Sequence, residues 1–401
     1  MKKPIRRVLS NRFLSTSSVW RREAMSTCSP AFRLVACLLN ISEARNKGIV
    51  ESVANAALNF PSKSNSFKCS STVLNIFSDR DYNRSVITIA APVENIEESV
   101  LRACQVAYKE IDLEKHEGGH PRLGSVDLVP IHTISPEVSL AECGQIALKL
   151  GTRIANSIKG TSVFLFGHAD QPLVRGLVER RKAVNWYQGV HGMDFSRVGW
   201  DLGSPPSQRY GCTGIGAIPY VTNCNVSIDC QDLQLGKDIA KAIRATTPGG
   251  LAGVQSMAFK HEGRVEIACN VEASKEVSSE GLFQYTSPEE IENRVREMAA
   301  KKNVKLYGTK LVGFTPEEAY RRAVNALSQE NATAWKCSAE YRIFSQQSRH
   351  LIRKGEHYKL ATVYPASLCN LEYIRIDGGW GRYSPSQPFS LDVTQRSPKR
   401  T

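Results

Sequence analysis

The stretch TVLNIFSDRDYNRSVITIAAPVENIEESVLRACQVAYKEI, residues 72–111, decides the fold. Thr72–Phe77 and Ser85–Ala91 are rich in β-branched residues and flank the polar turn Asp79-Arg80-Asp81-Tyr82-Asn83, so they read as two strands joined by a turn. Val93–Ile111 then brings Val100, Cys104, Ala107, Tyr108 and Ile111 onto one face at helical spacing.

Moving outward, Leu34–Leu39 reads as a buried strand and Asn46–Leu58 as a helix with Ile49, Val53, Ala56 and Ala57 on its apolar side. Ser125–Ile131 alternates like a strand, Leu140–Ile158 is helical, and Ser162–Phe166 is another strand. The order βαββαβ, then αβ, predicts an α+β layer with helices on one face of a mainly antiparallel sheet. A second unit repeats that order. Tyr220–Ile228 is a strand and Leu235–Ala245 a helix, and Val254–Lys260 with Arg264–Val271 form a hairpin around His261-Glu262-Gly263. Pro288–Lys302 is a helix capped by Ser287, Val304–Val312 a strand, and Pro316–Ser328 a helix capped by Thr315. The expected organisation is a basic extension over 1–32, a first subdomain over 33–185, a connecting loop segment over 186–219, a second subdomain over 220–330 and a poorly ordered tail over 331–401.

Charge distribution bears on partners. The net charge is +13, but residues 1–25 hold +6 and residues 331–401 another +6, leaving 26–330 at +1. A nucleic-acid binder places its basic stripe on the fold, so no nucleic-acid partner is expected. Nor does any run of apolar residues reach membrane-spanning length, and no membrane partner is expected. The eleven cysteines include no C-x-x-C pair, as fits a reducing compartment. Arg6, Arg7, Arg12, Arg21 and Arg22, among serines and without an acid, have the composition of a transit peptide, so a mitochondrial location stands beside a cytoplasmic one.

The chemistry concentrates in His116-Glu117-Gly118-Gly119-His120-Pro121-Arg122-Leu123-Gly124. Its spelling contains H-E-x-x-H, which binds zinc when both histidines lie one turn apart on a helix. Two glycines inside that helix would cost about 2 kcal/mol, and Pro121 disfavours the helical conformation at His120. The stretch therefore reads as a loop that hugs a ligand, with no metal. In it His120 serves as general base or acid and Arg122 as a carboxylate anchor. Asn40-Ile41-Ser42-Glu43-Ala44-Arg45-Asn46 forms a strand-to-helix junction, with Ser42 as the expected helix cap. Arg84, after Asn83, can pair with Asp79, Asp81 or a substrate carboxylate. Tyr210-Gly211-Cys212-Thr213-Gly214-Ile215-Gly216 lacks both the dinucleotide-loop context and a Walker lysine, so it reads as a ligand wall without a nucleotide.

Together these residues resemble one family. His120-Pro121-Arg122-Leu123-Gly124-Ser125-Val126-Asp127 is similar to the H-P-R-M-G-A-x-D segment of glutamate formiminotransferases, Asn40-x-Ser42-Glu43-Ala44-Arg45-Asn46 to their N-F-S-E-G-R-N, and Asn83-Arg84-Ser85-Val86 to their N-R-T-V. The resemblance covers roughly residues 33–330. It implies two tandem ferredoxin-like subdomains. It also implies transfer of a formimino group between N-formimino-L-glutamate and N5 of tetrahydrofolate, with tetrahydrofolate as a substrate and no metal or nucleotide. The family's catalytic base falls on His120; Arg122, Arg84, Asn83, Asn40, Ser42 and Gly124 fall in its substrate site; and its folate segment falls on Gly203, Ser204, Pro205, Arg209, Tyr210 and Gly211. A homodimer is compatible with it. The 71 residues after 330 are too few for the helical cyclodeaminase domain of bifunctional members, and none is expected. Where the family has D-x-D on its second strand, this chain reads Asn75-Ile76-Phe77, so the acidic partner is expected either to be lost or to be replaced by Asp79 or Asp81. Two alternatives remain open: a catalytically silent folate-binding or regulatory protein, and an enzyme that processes 5-formyltetrahydrofolate.

Overall fold

A computed structural model describes residues 32–58, 60–63, 66–183, 199–274 and 283–337, together with the backbone of 362–364, 372–376 and 379–383. The basic stretch 1–31 and its targeting expectation lie outside the described residues, as do residues 184–198, which include the start of the connecting segment.

The first unit runs β1 (Leu34–Ile41), α1 (Lys47–Ala56), β2 (Thr72–Asp79), β3 (Arg84–Pro92), α2 (Val93–Glu110), β4 (Val126–Thr133), α3 (Leu140–Ser157), β5 (Ser162–Gly167) and α4 (Leu177–Ala183). β6 (Leu202–Gly203) and β7 (Thr213–Ala217) follow. The second unit is β8 (Val221–Ile228), α5 (Leu233–Ile243), β9 (Val254–His261), β10 (Arg264–Glu272), α6 (Pro288–Ala300), β11 (Leu306–Val312) and α7 (Pro316–Ser328). The fold is mixed α and β, built on two main sheets.

The first sheet has seven strands in the order β2-β3-β1-β4-β7-β5-β6, and the second has four in the order β11-β8-β10-β9. Its first four strands are antiparallel, but β7 lies parallel between β4 and β5. The segment 186–219, expected to be a connecting loop, thus supplies two strands to the sheet. Glycine admits β7 there: a Cβ on Gly214 would lie 2.5 Å from the Phe164 ring, so no larger residue fits the slot.

Alternation sorts the first sheet into two faces. Val35, Cys37, Leu39 and Ile41 pack under α1, α2 and α3 with Val53, Val100, Cys104, Ala147 and Leu150. Leu34, Ala36, Leu38, Val86 and Ala90 face the other way, against Tyr220, Phe314 and the α7 residues Ala319, Ala323 and Leu327. Each fully buried aliphatic side chain of this kind contributes roughly 1.5–3 kcal/mol. In the second sheet Val226, Ile228, Val265 and Ile267 pack under α5 and α6. β8 alternates between buried and partly exposed, which leaves Asn223, Asn225 and Ser227 on an open polar face. The helix caps at Ser287 and Thr315 form as expected, accepting from Glu290 N (3.1 Å) and Glu318 N (3.3 Å).

Two expectations change. Ser42 does not cap α1: Asn46 does, with Oδ1 accepting from Ile49 N at 3.3 Å, while Ser42 Oγ donates to Gly124 O at 2.8 Å. The chain needs the extra turn at 42–46 to leave β1, and that turn carries the cap four residues onward. Nor is the region after 330 wholly unstructured. Trp335 is fully buried in the first core, and β12 (Thr362–Tyr364), β13 (Glu372–Ile376) and β14 (Gly379–Tyr383) form a three-stranded sheet. Trp335 is anchored by burial of its large ring, which weak periodicity along the chain does not reveal.

Candidate active site

Arg84 opens β3 on the face away from α1–α3, where Val86 and Ala90 follow it by alternation. Asn40 lies on the neighbouring β1, and its Oδ1 accepts from Arg84 Nε at 3.0 Å and again from Nη2. Held along that edge, the guanidinium presents Nη1 to His120, 3.0 Å from Nε2. The other ring nitrogen, Nδ1, donates to the carbonyl of Pro121 at 2.7 Å. These partners fix the tautomer: Nδ1 carries the proton, and Nε2 has a lone pair that accepts from Arg84. Burial, then the Arg84 charge, hold His120 well below its ordinary pKa of 6.5. Arg181 of α4 and Arg122 push in the same direction. The imidazole is therefore neutral near pH 7 and suited to act as a base through Nε2.

The loop carrying His120 is held by its neighbours. His116 and His120 share no helix; His116 Nδ1 donates to Ser42 O at 2.9 Å. Gly119 N donates to Asp81 O at 3.0 Å, and Asn83 Nδ2 to Glu117 O at 3.0 Å. A Cβ on Gly118 would sit 2.2 Å from Tyr82 O, so glycine is what allows the loop to lie on the β2–β3 turn. Beyond Pro121, Asp127 Oδ1 accepts from Leu123 N (2.6 Å) and Gly124 N (3.4 Å), which fixes the exit of the loop. Arg122 is 7% exposed; Nη2 donates to His116 O at 2.7 Å, while Nε and Nη1 have no hydrogen-bond partner among the described residues. Buried unpaired donors of a cation are costly, and an anion accepting from them would remove the cost.

The second unit completes the surroundings. The Phe259 ring of β9 lies 5.4 Å from His120, and Tyr82 lies 5.2 Å from it. Tyr82 Oη donates to Glu266 Oε1 of β10 at 2.9 Å. His261 Nε2 donates to Asp79 Oδ2 at 2.8 Å, and its Nδ1 lies 3.8 Å from Glu266 Oε2. Burial alone would lower the His261 pKa, but the Asp79 hydrogen bond and the charges of Asp79 and Glu266 outweigh it and raise it to about 9. Burial would likewise raise Asp79, but the bonds from His261 and the Tyr82 amide hold it below the usual carboxylate range.

His120, Arg84, Asn40, Asn83, Ser42, Gly124 and Arg122 are thus drawn into one hydrogen-bonded neighbourhood. The expected folate segment is not drawn into it. Gly203 pairs with Ser162 on β5, Ser204 N donates to Thr161 O, and Pro205 is exposed. Arg209 binds Lys109 O and Asp112, and Tyr210 packs edge-on against Tyr108 beneath α2. At the exit of the His120 loop, Gly211 bridges Gly124, and Tyr210 O accepts from Ser125 N at 3.0 Å. The segment is fastened to the end of α2 because Arg209 finds a carboxylate there and the Tyr210 ring finds the helix-side core. Tyr82, Phe259, His261 and Glu266 were not singled out from sequence. Their one signal was the His261-Glu262-Gly263 turn, which reads only as a hairpin tip.

Residues 34–218 match the family described as formiminotransferase domain, N-terminal subdomain. Over 290 residues the chain is 27% identical to a glutamate formimidoyltransferase of Thermoplasma acidophilum, covering 71% of this chain and 89% of the relative. It is 28% identical over 308 residues to a formiminotransferase cyclodeaminase-like protein of Arabidopsis thaliana, with 73% and 97% covered. It is 27% identical over 295 residues to the formimidoyltransferase-cyclodeaminase of Gallus gallus, covering 72% of this chain and 51% of that relative.

Proposed function

We propose, on the premise that residues 34–218 carry the formiminotransferase N-terminal subdomain, that the protein is a folate-dependent transferase moving a formimino group from N-formimino-L-glutamate to N5 of tetrahydrofolate. The observation that carries it is His120 with its Nδ1 proton committed to Pro121 O, its Nε2 as the basic atom beside Arg84, and its pKa held well below the ordinary value. In the reaction N5 attacks the amidine carbon and a tetrahedral intermediate forms. His120 Nε2 accepts the N5 proton and returns it to the glutamate nitrogen as the C–N bond to glutamate breaks. Both substrates carry carboxylates, and Arg122, with two unpaired donors, is the anchor the geometry favours. Arg84 already serves Asn40 and His120, so a carboxylate that draws Nη1 away would also uncover Nε2. The strand orders β2-β3-β1-β4 and β11-β8-β10-β9 support reading the two units as ferredoxin-like.

Purified protein incubated with tetrahydrofolate and formiminoglutamate should produce the 5-formimino folate, followed by folate absorbance. No turnover, with folate still bound, would favour the silent binding protein. Asn75 and Phe77 on β2, where the family carries acids, speak for that second reading. Turnover of 5-formyltetrahydrofolate alone would move the assignment to that substrate.

A further inference from the structure

We propose that Tyr82 and His261 are positioning residues, joined through Glu266 and Asp79 into a clamp by which the second unit fixes the His120 imidazole. The proposal rests on His120 being the working base, and its geometry stands apart from the substrate assignment.

Four side chains make the clamp. Asp79 and Tyr82 come from the β2–β3 turn of the first unit, and His261 and Glu266 from the β9–β10 hairpin of the second. Tyr82 is fixed at both ends. Its amide donates to Asp79 Oδ1 at 2.9 Å, and its hydroxyl donates to Glu266 Oε1 at 2.9 Å. His261 closes the ring between the two carboxylates, 2.8 Å from Asp79 Oδ2 and 3.8 Å from Glu266 Oε2. All four are largely buried: the side chains of His261, Asp79 and Glu266 are 8%, 10% and 7% exposed, and Tyr82 as a whole is 9% exposed. Two carboxylates buried this close repel, and a cation between them relieves that repulsion. His261 therefore keeps Glu266 in place to receive Tyr82, and Tyr82 keeps its ring against His120. Tyr82 packs at 4.6 Å from the His261 ring, and Phe259, two residues before His261 on the same strand face, packs on His120 at 5.4 Å. With Pro121 O on Nδ1 and Arg84 on Nε2, these two rings leave the imidazole little freedom to rotate.

The test combines a spectroscopic readout with kinetics. In protein labelled with 15N-histidine, the His120 ring resonances are assigned by their loss in His120→Gln and compared between wild type, Tyr82→Phe, His261→Gln and Arg264→Ala. Tyr82→Phe keeps the ring and removes only the hydroxyl. Arg264 lies on the same hairpin but faces Tyr307 and Asp229, so Arg264→Ala reports general loosening. The clamp predicts that Tyr82→Phe and His261→Gln shift or broaden the His120 signals and lower kcat about tenfold with KM within about twofold, as for loss of an aligning contact, while Arg264→Ala changes neither. Unchanged His120 signals in both clamp variants would overturn it, as would an equal change in Arg264→Ala. If the protein turns over no formiminoglutamate at all, the substrate assignment fails while the resonances still decide the clamp.

Discussion

Arg84 Nη1 stands 3.0 Å from His120 Nε2, so a guanidinium covers the basic nitrogen of the site while Asn40 holds that guanidinium from behind. Burial first, and this contact second, hold the imidazole well below its ordinary pKa, and the contact also covers the Nε2 lone pair. A substrate carboxylate that competes for Arg84 would free the base as it binds, coupling occupancy to reactivity.

Replacing His120 by Ala should lower kcat by about 10²–10⁴, the usual worth of positioned acid–base help, with folate affinity little changed because Arg122 remains. Steady-state kinetics beside a folate titration check this; transfer at the wild-type rate would remove His120 from the chemistry.

Arg84→Gln should move the acid limb of the kcat/KM profile. The wild-type limb lies below pH 6.5, since burial first and the Arg84 charge second depress the His120 pKa. Removing the charge raises that pKa while burial persists, so the limb should shift upward. A limb that stays put, or moves down, would mean Arg84 does not act on His120.

Stability should fall on both sides of neutrality. His261 has a folded pKa raised to about 9, so its contribution is complete below about 6.5 and is lost as pH rises through 9. That loss is on the order of 2 kcal/mol after allowance for coupling to two carboxylates. His116 and His132 are depressed to about 4, so their share is complete above 6.5 and is lost as pH falls toward 4. Denaturant melts from pH 5 to 10 test this: His261→Gln should flatten the alkaline slope, and an unchanged alkaline slope would mean that His261 does not carry it.

Gly118→Ala should hurt turnover more than folding. The new methyl would meet Tyr82 O, and relieving that clash lifts the His120 loop off the turn. A stability cost of about 1–3 kcal/mol is expected, with a larger proportional fall in kcat. Full activity in this variant would show that the loop does not need its seat on Tyr82.

Trp335→Ala should destabilise the first unit by about 3–5 kcal/mol, the range for a large buried aromatic. Thermal unfolding is the readout; a change under 1 kcal/mol would mean that the chain after 330 is not part of the core.

Much of the scaffold was legible in the chain. The hairpin around Asp79–Asn83, the amphipathic helix after it and the capped helices at Ser287 and Thr315 follow from local rules, and each forms. The loop reading of His116–Gly124 was also local, because Gly118, Gly119 and Pro121 resist a helix whatever surrounds them. Other features were not local. β7 enters the first sheet between β4 and β5, a pairing set by the space Gly214 leaves rather than by any pattern along the chain. Ser42 gave up the capping role to Asn46 once the Gly124 carbonyl came within its reach.

By itself, then, the sequence determined the order of elements, the refusal of a helix at His120 and the presence of His, Arg and Asn on the strand ends around it. Those follow from backbone preference and side-chain period, which act over a few residues. Only the tertiary structure decided which atom of His120 is basic and what surrounds it. Asp79 and His261 are 182 positions apart and Tyr82 and Glu266 are 184 apart, yet the folding of one sheet against the other places each pair within hydrogen-bond distance. The pairing of Asp79 with His261, which outweighs burial in setting their protonation, exists only once the two sheets have met.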